Sequence, residues 1–377
     1  MEARASEERS CSHAGQHAAK GVFAGMKRVQ EKLLDWYDRE RRDLPWRRSR
    51  DPYAIWVSEV MLQQTQVKTV LGHYARFLER FPTVSALARA RDADVLHAWQ
   101  GLGYYSRARR LHAAAQTMEE RHGGRVPGNR AALLALPGVG AYSAGAVASI
   151  AFGERVPVVD GNVVRVLTRL FGLRGDPGRS PLKARLWDIA AELVSPRRPG
   201  DFNQAVMELG ATVCTPRDPN CAACPLASGC KAHALGQPLR FPELPARAQP
   251  TAVRVAAAVI ERNGRVLVVR VPDDAPRWAG LHVFPYVTLG AKERPERGAL
   301  RAAREHGVRA NLAGPLATFR YTITRFRMTL DAFIGTPERA APGRFHRLSE
   351  LGALAMPAPH RRLANALLTL STRSQGA

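Results

Sequence analysis

The chain has 377 residues, with 56 lysines and arginines against 33 aspartates and glutamates, a net charge of +23. That length exceeds one typical core and predicts two or three domains. The charge concentrates polyanions at the surface and points to nucleic acid as the partner, while the absence of any apolar run long enough to span a bilayer sets membrane proteins aside.

In chain order, residues 1–26 are polar and lack the apolar core of a secretory signal, so a disordered extension is expected there. The expected location is the cytoplasm, at the nucleoid, where the five cysteines would stay reduced. From 27 to 235 one helical segment follows another. "VQEKLLDWYDRE" places Val29, Leu33 and Trp36 at helical spacing, and 55–81 continues the period through Val57, Val60, Met61, Val67, Val70, Leu71, Tyr74, Phe77 and Leu78. Within it, "SEVMLQQTQV" (58–67) reads as helix, although it carries Glu59, Gln63, Gln64 and Gln66. Further helices are expected over 84–100, 106–122, 131–136, 141–152, 161–170, 181–195 and 201–213, with turns at "GLGYY", "GGRVPGN", "LPGVG", "RGDPG" and "SPRRPGD". The proline-rich stretch 236–250 predicts an extended linker. Beyond it the pattern turns to strands. Asn263-Gly264 between two β-rich runs is a hairpin signal, "ATFRYTITRFRMTLDAFIG" reads as a second strand pair, and "PERGALRAAREHGV" as a helix ending at Gly307. The fold expected is therefore a mostly α domain (27–235) followed by an α+β domain (251–370).

Four cysteines, Cys214, Cys221, Cys224 and Cys230, follow the pattern C-x6-C-x2-C-x5-C. Four thiolates on a short loop complete a tetrahedral site with no open position, so the role is structural or redox; spacing alone leaves zinc and an iron–sulfur cluster both open. Arg217 and Lys231 on that loop either meet phosphate or are merely solvated, and Cys11 reads as a free thiol. In "LPGVGAYSAGAVASIAFG" (136–153) a helix stops at Pro137, Gly138 and Gly140 allow a tight turn, and a new helix begins with free N–H groups that suit a phosphate; a bland helical corner is the alternative. Asp160 precedes Gly161-Asn162 and a helix, which by local sequence makes it an N-cap.

The cysteine spacing, the turn at 136–153 and Asp160 together resemble the helix-hairpin-helix superfamily of DNA glycosylases that includes endonuclease III. The resemblance implies a [4Fe–4S] cluster on the four cysteines and a hairpin that holds the DNA backbone at Gly138 and Gly140. It also implies a catalytic aspartate at Asp160, facing positive charge at C1′. Bifunctional members carry a lysine two residues after the second hairpin glycine, where it forms a Schiff base. Tyr142 stands there instead, and a phenol cannot form an imine, so a monofunctional glycosylase is expected.

"LPWR" (44–47), "DPYAIWVSEVMLQQTQV" (51–67), "GLGYYSRARRL" (101–111), "VVDGNVVRVL" (158–167) and "FNQAVMELGA" (202–211) resemble the MutY family of adenine DNA glycosylases, with a weaker likeness over 251–365 to its degenerate Nudix-like domain. That family removes adenine mispaired with 8-oxoguanine or guanine in duplex DNA, and a monomer is expected. Adenine leaves poorly as an anion; a carboxyl that keeps its proton at neutral pH can protonate it. Glu59, flanked by Val57, Val60 and Met61, matches the family's general acid. The logic is that of retaining glycosidases, Glu59 as acid and then base for water, Asp160 facing the oxocarbenium ion. The resemblance places Tyr142 and Asn162 in support of the sugar and Asp160. It places Arg47 and Gln204 beside the flipped adenine, and Gln64 and Tyr104 near 8-oxoguanine. Tyr104 also reads, by local sequence, as a core aromatic. Arg107, Arg109 and Arg110 form a basic helix face expected to meet phosphate.

In the second domain the Nudix hydrolase box is missing. Anchored on Gly307-Val308, its paired glutamates read Arg304-Glu305 and its Arg-Glu start reads Leu300-Arg301, so the domain is expected to bind rather than hydrolyse. Where the family's Phe-Ser-His meets the lesion, this chain has Ile323, Thr324 and Arg325: a hydroxyl and a donor remain, and the ring is gone. The alternatives are an endonuclease III-like bifunctional enzyme for damaged pyrimidines, a non-catalytic lesion-binding protein, and a Nudix nucleotide hydrolase.

Overall fold

The computed structural model describes residues 25–246 and 248–374. The expected N-terminal extension lies outside the described residues up to residue 24, as does Cys11; residues 25 and 26 already belong to a helix. The chain divides into two compact units, one running to Gln64 and resuming over Ala114–Ala246, the other comprising Thr65–Ala113 and the residues from 248 onward. The division thus groups 65–113 with the C-terminal strands.

In chain order the helices are α1 (25–40), α2 (Pro52–Leu62), α3 (Val67–Arg80), α4 (Val84–Ala88), α5 (Asp92–Ala98), α6 (Ser106–His122), α7 (Arg130–Leu134), α8 (Ala141–Phe152), α9 (Gly161–Phe171), α10 (Leu182–Leu193), α11 (Pro199–Thr212), α12 (Lys231–Ala234), α13 (Pro295–Glu305) and α14 (Ala358–Ser374). Among the described residues no helix is long and apolar enough to cross a membrane.

In the first unit α2 is buried from Tyr53 to Met61, mostly apolar on every face as a central helix must be, with Ser58 and Glu59 the polar exceptions. Its start is fixed by Asp51, whose carboxylate accepts from the N–H of Tyr53 and Ala54, with Pro52 at the first helical position. It packs on α8, which is equally buried from Ser143 to Ser149 and packs in turn on α11. Small residues permit that approach: a Cβ on Gly200 would stand 2.6 Å from the Ser149 carbonyl. α9 and α10 close the other side with Leu33, Trp36 and Tyr37 of α1.

Two expected helices prove to be broken. The stretch 55–81 is not continuous, and "SEVMLQQTQV" is not all helix: α2 ends at Leu62, 63–66 is a turn, and α3 begins at Val67. Gln64 sits in the left-handed region (φ 56). The Gln63 side-chain amide donates to Ser143 Oγ (3.0 Å) instead of facing outward. Gln66 is the cap of α3, its carbonyl accepting from Thr69 and Val70. The apolar period survives such a break because the residues on both sides stay buried. Likewise 84–100 divides into α4 and α5. Thr83 caps the first by accepting from Ala86, while Asp92 and Asp94 open a second N-terminus.

The second unit is built on a mixed sheet. Its strands are β1 (Thr251–Arg262), β2 (Arg265–Leu267), β5 (Tyr286–Thr288), β6 (Ala310–Ile323), β7 (Phe326–Pro337) and β8 (Phe345–Arg347); β3 (Val269–Arg270) and β4 (His282–Val283) pair separately. The order is β6-β7-β1-β2-β8, with β1 parallel to β7 and β6 antiparallel to it. The run "VAAAVI" in β1 serves both faces of the sheet by strand alternation. Val255, Ala257 and Val259 join Leu363 and Leu367 of α14, while Ala256, Ala258 and Ile260 join Ala299 and Ala303 of α13. Both expected hairpins form, around Asn263-Gly264 (φ 53 and 71) and around Thr324-Arg325.

Candidate active site

Glu59 lies in the last turns of α2 and is 6% exposed. Tyr142, one residue into α8, donates its hydroxyl to Glu59 Oε2 at 2.7 Å. Burial pushes the Glu59 carboxyl up to about 7, against the Tyr142 hydrogen bond; the charge of Asp160 adds to the rise and that of Arg47 opposes it. A carboxyl so placed is protonated in a large fraction of molecules at neutral pH, as a general acid requires. Burial and the neighbouring carboxylates hold the Tyr142 phenol well above its ordinary range, so it stays a donor.

Asp160 is the N-cap of α9, as its local sequence predicts, and both its oxygens are engaged. Oδ1 accepts from the Val163 N–H (2.7 Å) and Oδ2 from Asn162 Nδ2 (2.8 Å). Burial raises its pKa, and these two bonds with the Arg165 charge restrain the rise. Asn162 is itself braced, because its Oδ1 accepts from Arg165 Nη2 (2.8 Å). Arg165 also donates to the carbonyls of Gly210 (2.6 Å) and Cys214 (2.7 Å). α9 and α11 touch here: a Cβ on Gly210 would lie 2.6 Å from Asn162 Cβ. Glu59, Tyr142, Asp160 and Asn162 are therefore one constellation, with two acids whose environments differ.

Arg47, in the short turn Pro45–Arg47, belongs to a second charged group of the same unit. Its Nη2 donates to Glu208 Oε2 (2.7 Å), and its guanidinium lies over the Tyr37 ring (5.5 Å). Glu208, on α11, was not singled out by sequence reasoning. A signal existed: an acid within the apolar helix "FNQAVMELGA" needs a buried partner. Gln204 is half-buried one turn earlier on the same helix.

At the hairpin α7 ends, Gly138 takes φ 73 and Gly140 caps α8. Leu133, Leu136 and Val139 anchor it inward while Gly138 and Gly140 stay exposed, which leaves the first-turn N–H groups of α8 available to an anion. Further on, Cys214, Cys221, Cys224 and Cys230 line one small cavity, with Arg217 and Lys231 exposed on the same loop. Arg169, 2% exposed, donates to Cys214 Sγ (3.3 Å) and to the Thr215 carbonyl (2.8 Å). No group of three or more His, Cys, Asp or Glu among the described residues is arranged to hold a single metal ion.

The second unit holds a cavity of about 590 Å³ whose lining includes Tyr104, Arg109, Arg277, Trp278, Tyr321 and Thr324. Five non-glycine residues among those described have positive φ, and three of them, Tyr104 (φ 45), Trp278 (φ 59) and Thr324 (φ 52), line this cavity. Such strain persists where the surroundings impose it, and it concentrates at binding sites. Tyr104 is 46% exposed, not a core aromatic. Thr324 and Arg325 form the exposed tip of the β6–β7 hairpin, with Arg325 and Arg277 both over the Phe326 ring (5.2 and 4.9 Å). Arg107 corrects the expected basic face. It is 8% exposed and turned inward, donating to Thr65 Oγ1 (2.9 Å) and the carbonyls of Leu102 (3.1 Å) and Gly103 (3.2 Å). The glycine-rich loop leaves carbonyls that only a buried donor can satisfy. Arg109 donates to the Asp273 carbonyl (3.0 Å), and Arg110 is exposed. On α13, Arg301 is ion-paired with Glu293 and Glu305.

Residues 57–192 match the model of the HhH-GPD superfamily base excision DNA repair proteins, and residues 255–366 match a NUDIX domain. The solved structure of a thermostable thymine-DNA glycosylase aligns at 33% identity with a TM-score of 0.52, covering 56% of this chain and 97% of that one. The chain belongs to the HhH-GPD superfamily of base excision DNA repair proteins. Within it, the chain is similar to the adenine DNA glycosylase of Rattus norvegicus, 42% identical over 336 residues, which is 75% of this chain and 65% of that protein. It is also similar to that of Homo sapiens, 42% identical over 322 residues, 71% of this chain and 59% of that protein. The chain thus spans less than two thirds of the length of these curated relatives.

Proposed function

We propose that this protein is a monofunctional adenine DNA glycosylase that excises adenine paired with 8-oxoguanine or guanine in duplex DNA. The observation that carries the reading is the buried Glu59 carboxyl, pushed up to about 7 and hydrogen-bonded to Tyr142, in the field of a second acid, Asp160. Glu59 donates its proton to N7 of the flipped adenine. The C1′–N9 bond then breaks with its electron pair leaving on the neutral base, and Asp160 stabilises the cation at C1′. Glu59, now a carboxylate, takes a proton from the water that adds to C1′, which restores the acid. Tyr142 cannot form a Schiff base, so the strand stays intact. Flipping costs a few kcal/mol, and Gln204 and Arg47 are the polar groups assigned to receive the base.

The cluster proposed on the cysteine loop is [4Fe–4S], held by Cys214, Cys221, Cys224 and Cys230. The donor set supports it: four thiols share one cavity, and a buried guanidinium beside Cys214 suits a sulfur that carries negative charge. When bound, the cluster would brace the loop and supply a redox-active centre.

For the lesion strand, the cavity of the second unit is the proposed reading surface. Tyr104, Trp278 and Tyr321 offer faces for stacking, and Arg277 and Arg109 offer donors, in place of the missing Phe-Ser-His. Gln64, exposed in a left-handed turn, is a further candidate contact, and the hairpin at Gly138 and Gly140 is proposed to hold the backbone. Single-turnover excision on A opposite 8-oxoguanine and on A opposite guanine tests the reading. Native protein should release adenine from both, and Thr324→Ala should narrow the preference for the lesion. An inactive native protein, or adenine released equally fast opposite thymine, would contradict it.

A further inference from the structure

Among the described residues Glu208 is the most completely buried charged side chain. Its side chain is 1% exposed, yet three donors of Arg42 and one of Arg47 converge on it. Oε1 accepts from the Arg42 N–H (3.0 Å) and Nε (2.8 Å), and Oε2 accepts from Arg42 Nη2 (2.7 Å) and Arg47 Nη2 (2.7 Å). Arg47 Nη1 donates to the Arg42 carbonyl (3.0 Å), so the Arg47 fork is fixed at both prongs and by the Tyr37 ring. Burial pushes the Glu208 carboxyl up, but the bonds from Arg42 and Arg47 outweigh it and bring it down to about 2, so the group stays ionised at any working pH.

We propose that Glu208 is a positioning residue for base excision. It clamps Arg47 in place and offsets its charge, so that Glu59 retains its proton at neutral pH. The inference rests on Glu59 being the acid of the proposed reaction. Tyr142 from α8 contacts Glu59, and the charges that act on it are those of Asp160 at the start of α9 and Arg47 in the turn before α2. Those facing Glu208 are Arg42 and Arg47, while Arg41 and Asp201 act on Tyr37 beside them. Arg47 is common to both sets among the described residues. Two guanidinium charges against one carboxylate leave the clamp at +1. Glu208→Gln leaves it at +2 and releases one prong of Arg47, which draws Glu59 toward ionisation. Arg42→Met leaves the Glu208–Arg47 pair neutral and does the opposite.

The test is the pH dependence of single-turnover adenine excision for the native protein, Glu208→Gln and Arg42→Met, with circular dichroism confirming the fold of each. Native activity should fall as pH rises through the Glu59 pKa. Glu208→Gln should move that midpoint down by roughly half a pH unit or more, and Arg42→Met should move it up. A lower rate with an unchanged midpoint in Glu208→Gln would make Glu208 a structural brace only and overturn the inference. If Glu208→Gln does not fold, Arg42→Met decides by the presence or absence of its upward shift. A native protein without excision would instead sink the proposed function, a distinguishable outcome.

Discussion

Replacing Glu59 by glutamine should cost activity and increase stability, with a pH dependence fixed by its burial. The side chain is 6% exposed, so little solvent screens it. The rise from 4.5 to about 7 corresponds to about 3 kcal/mol at ~1.4 kcal/mol per pH unit. The folded pKa is the higher one. Below pH 4.5 both folded and unfolded chains hold the proton, and the native stability is intact. As pH rises to about 7 the unfolded chain ionises first and stability falls, the full loss being reached above the folded value. Glutamine cannot ionise, and its amide oxygen still accepts from Tyr142. Glu59→Gln should therefore match the native protein near pH 4.5 and exceed it by up to about 3 kcal/mol at pH 8. Excision should fall by roughly 10²–10⁴. Urea denaturation at both pH values, followed by tryptophan fluorescence, measures the first. Adenine release measures the second. A variant less stable than native at pH 8 would show that Glu59 is not held protonated by burial, and one that retains the full rate would show that it is not the acid.

Asp160→Asn should fold normally, because asparagine caps a helix about as well as aspartate, while excision drops by at least ~10² once the charge facing C1′ is gone; thermal melting and single-turnover rates check the two halves. Tyr142→Phe removes the hydrogen bond that holds the Glu59 pKa down, so the pH at which activity falls should move upward even as the rate decreases. A pH–rate profile reads that sign directly. Arg107→Met should destabilise the fold by about 1–3 kcal/mol through the hydrogen bonds it loses to Thr65, Leu102 and Gly103, and leave the salt dependence of DNA binding unchanged. Arg110→Gln should do the reverse, reducing the salt slope by about one. Binding titrations across salt concentration separate them.

The order of helices, both hairpins and the α13 boundary were legible because each rests on local chemistry: apolar period, Asn-Gly at a turn, glycine after a last turn. The turn at 63–66 was not, since buried residues on both sides preserve the period and only the Gln63–Ser143 bond and the left-handed Gln64 reveal it. Arg107 misled for a related reason. Three arginines in four positions look like one basic face, but a tight glycine loop draws one inward to satisfy its carbonyls. Glu59, Tyr142, Asp160 and Asn162 were singled out through motif resemblance, and the structure supplies what the motif lacks, the burial that raises the Glu59 carboxyl against the hydrogen bond from Tyr142. Glu208 escaped because its partners Arg42 and Arg47 lie about 160 residues away in sequence.

In the proposed reaction a buried, protonated Glu59 drives monofunctional removal of adenine. Single-turnover incubation of the native protein with a duplex carrying A opposite 8-oxoguanine, with and without borohydride, tests it most directly. Free adenine should appear, the strand should break only after alkali, and borohydride should trap no protein–DNA adduct. A borohydride-trapped adduct with direct strand cleavage, or no adenine release at all, would contradict it.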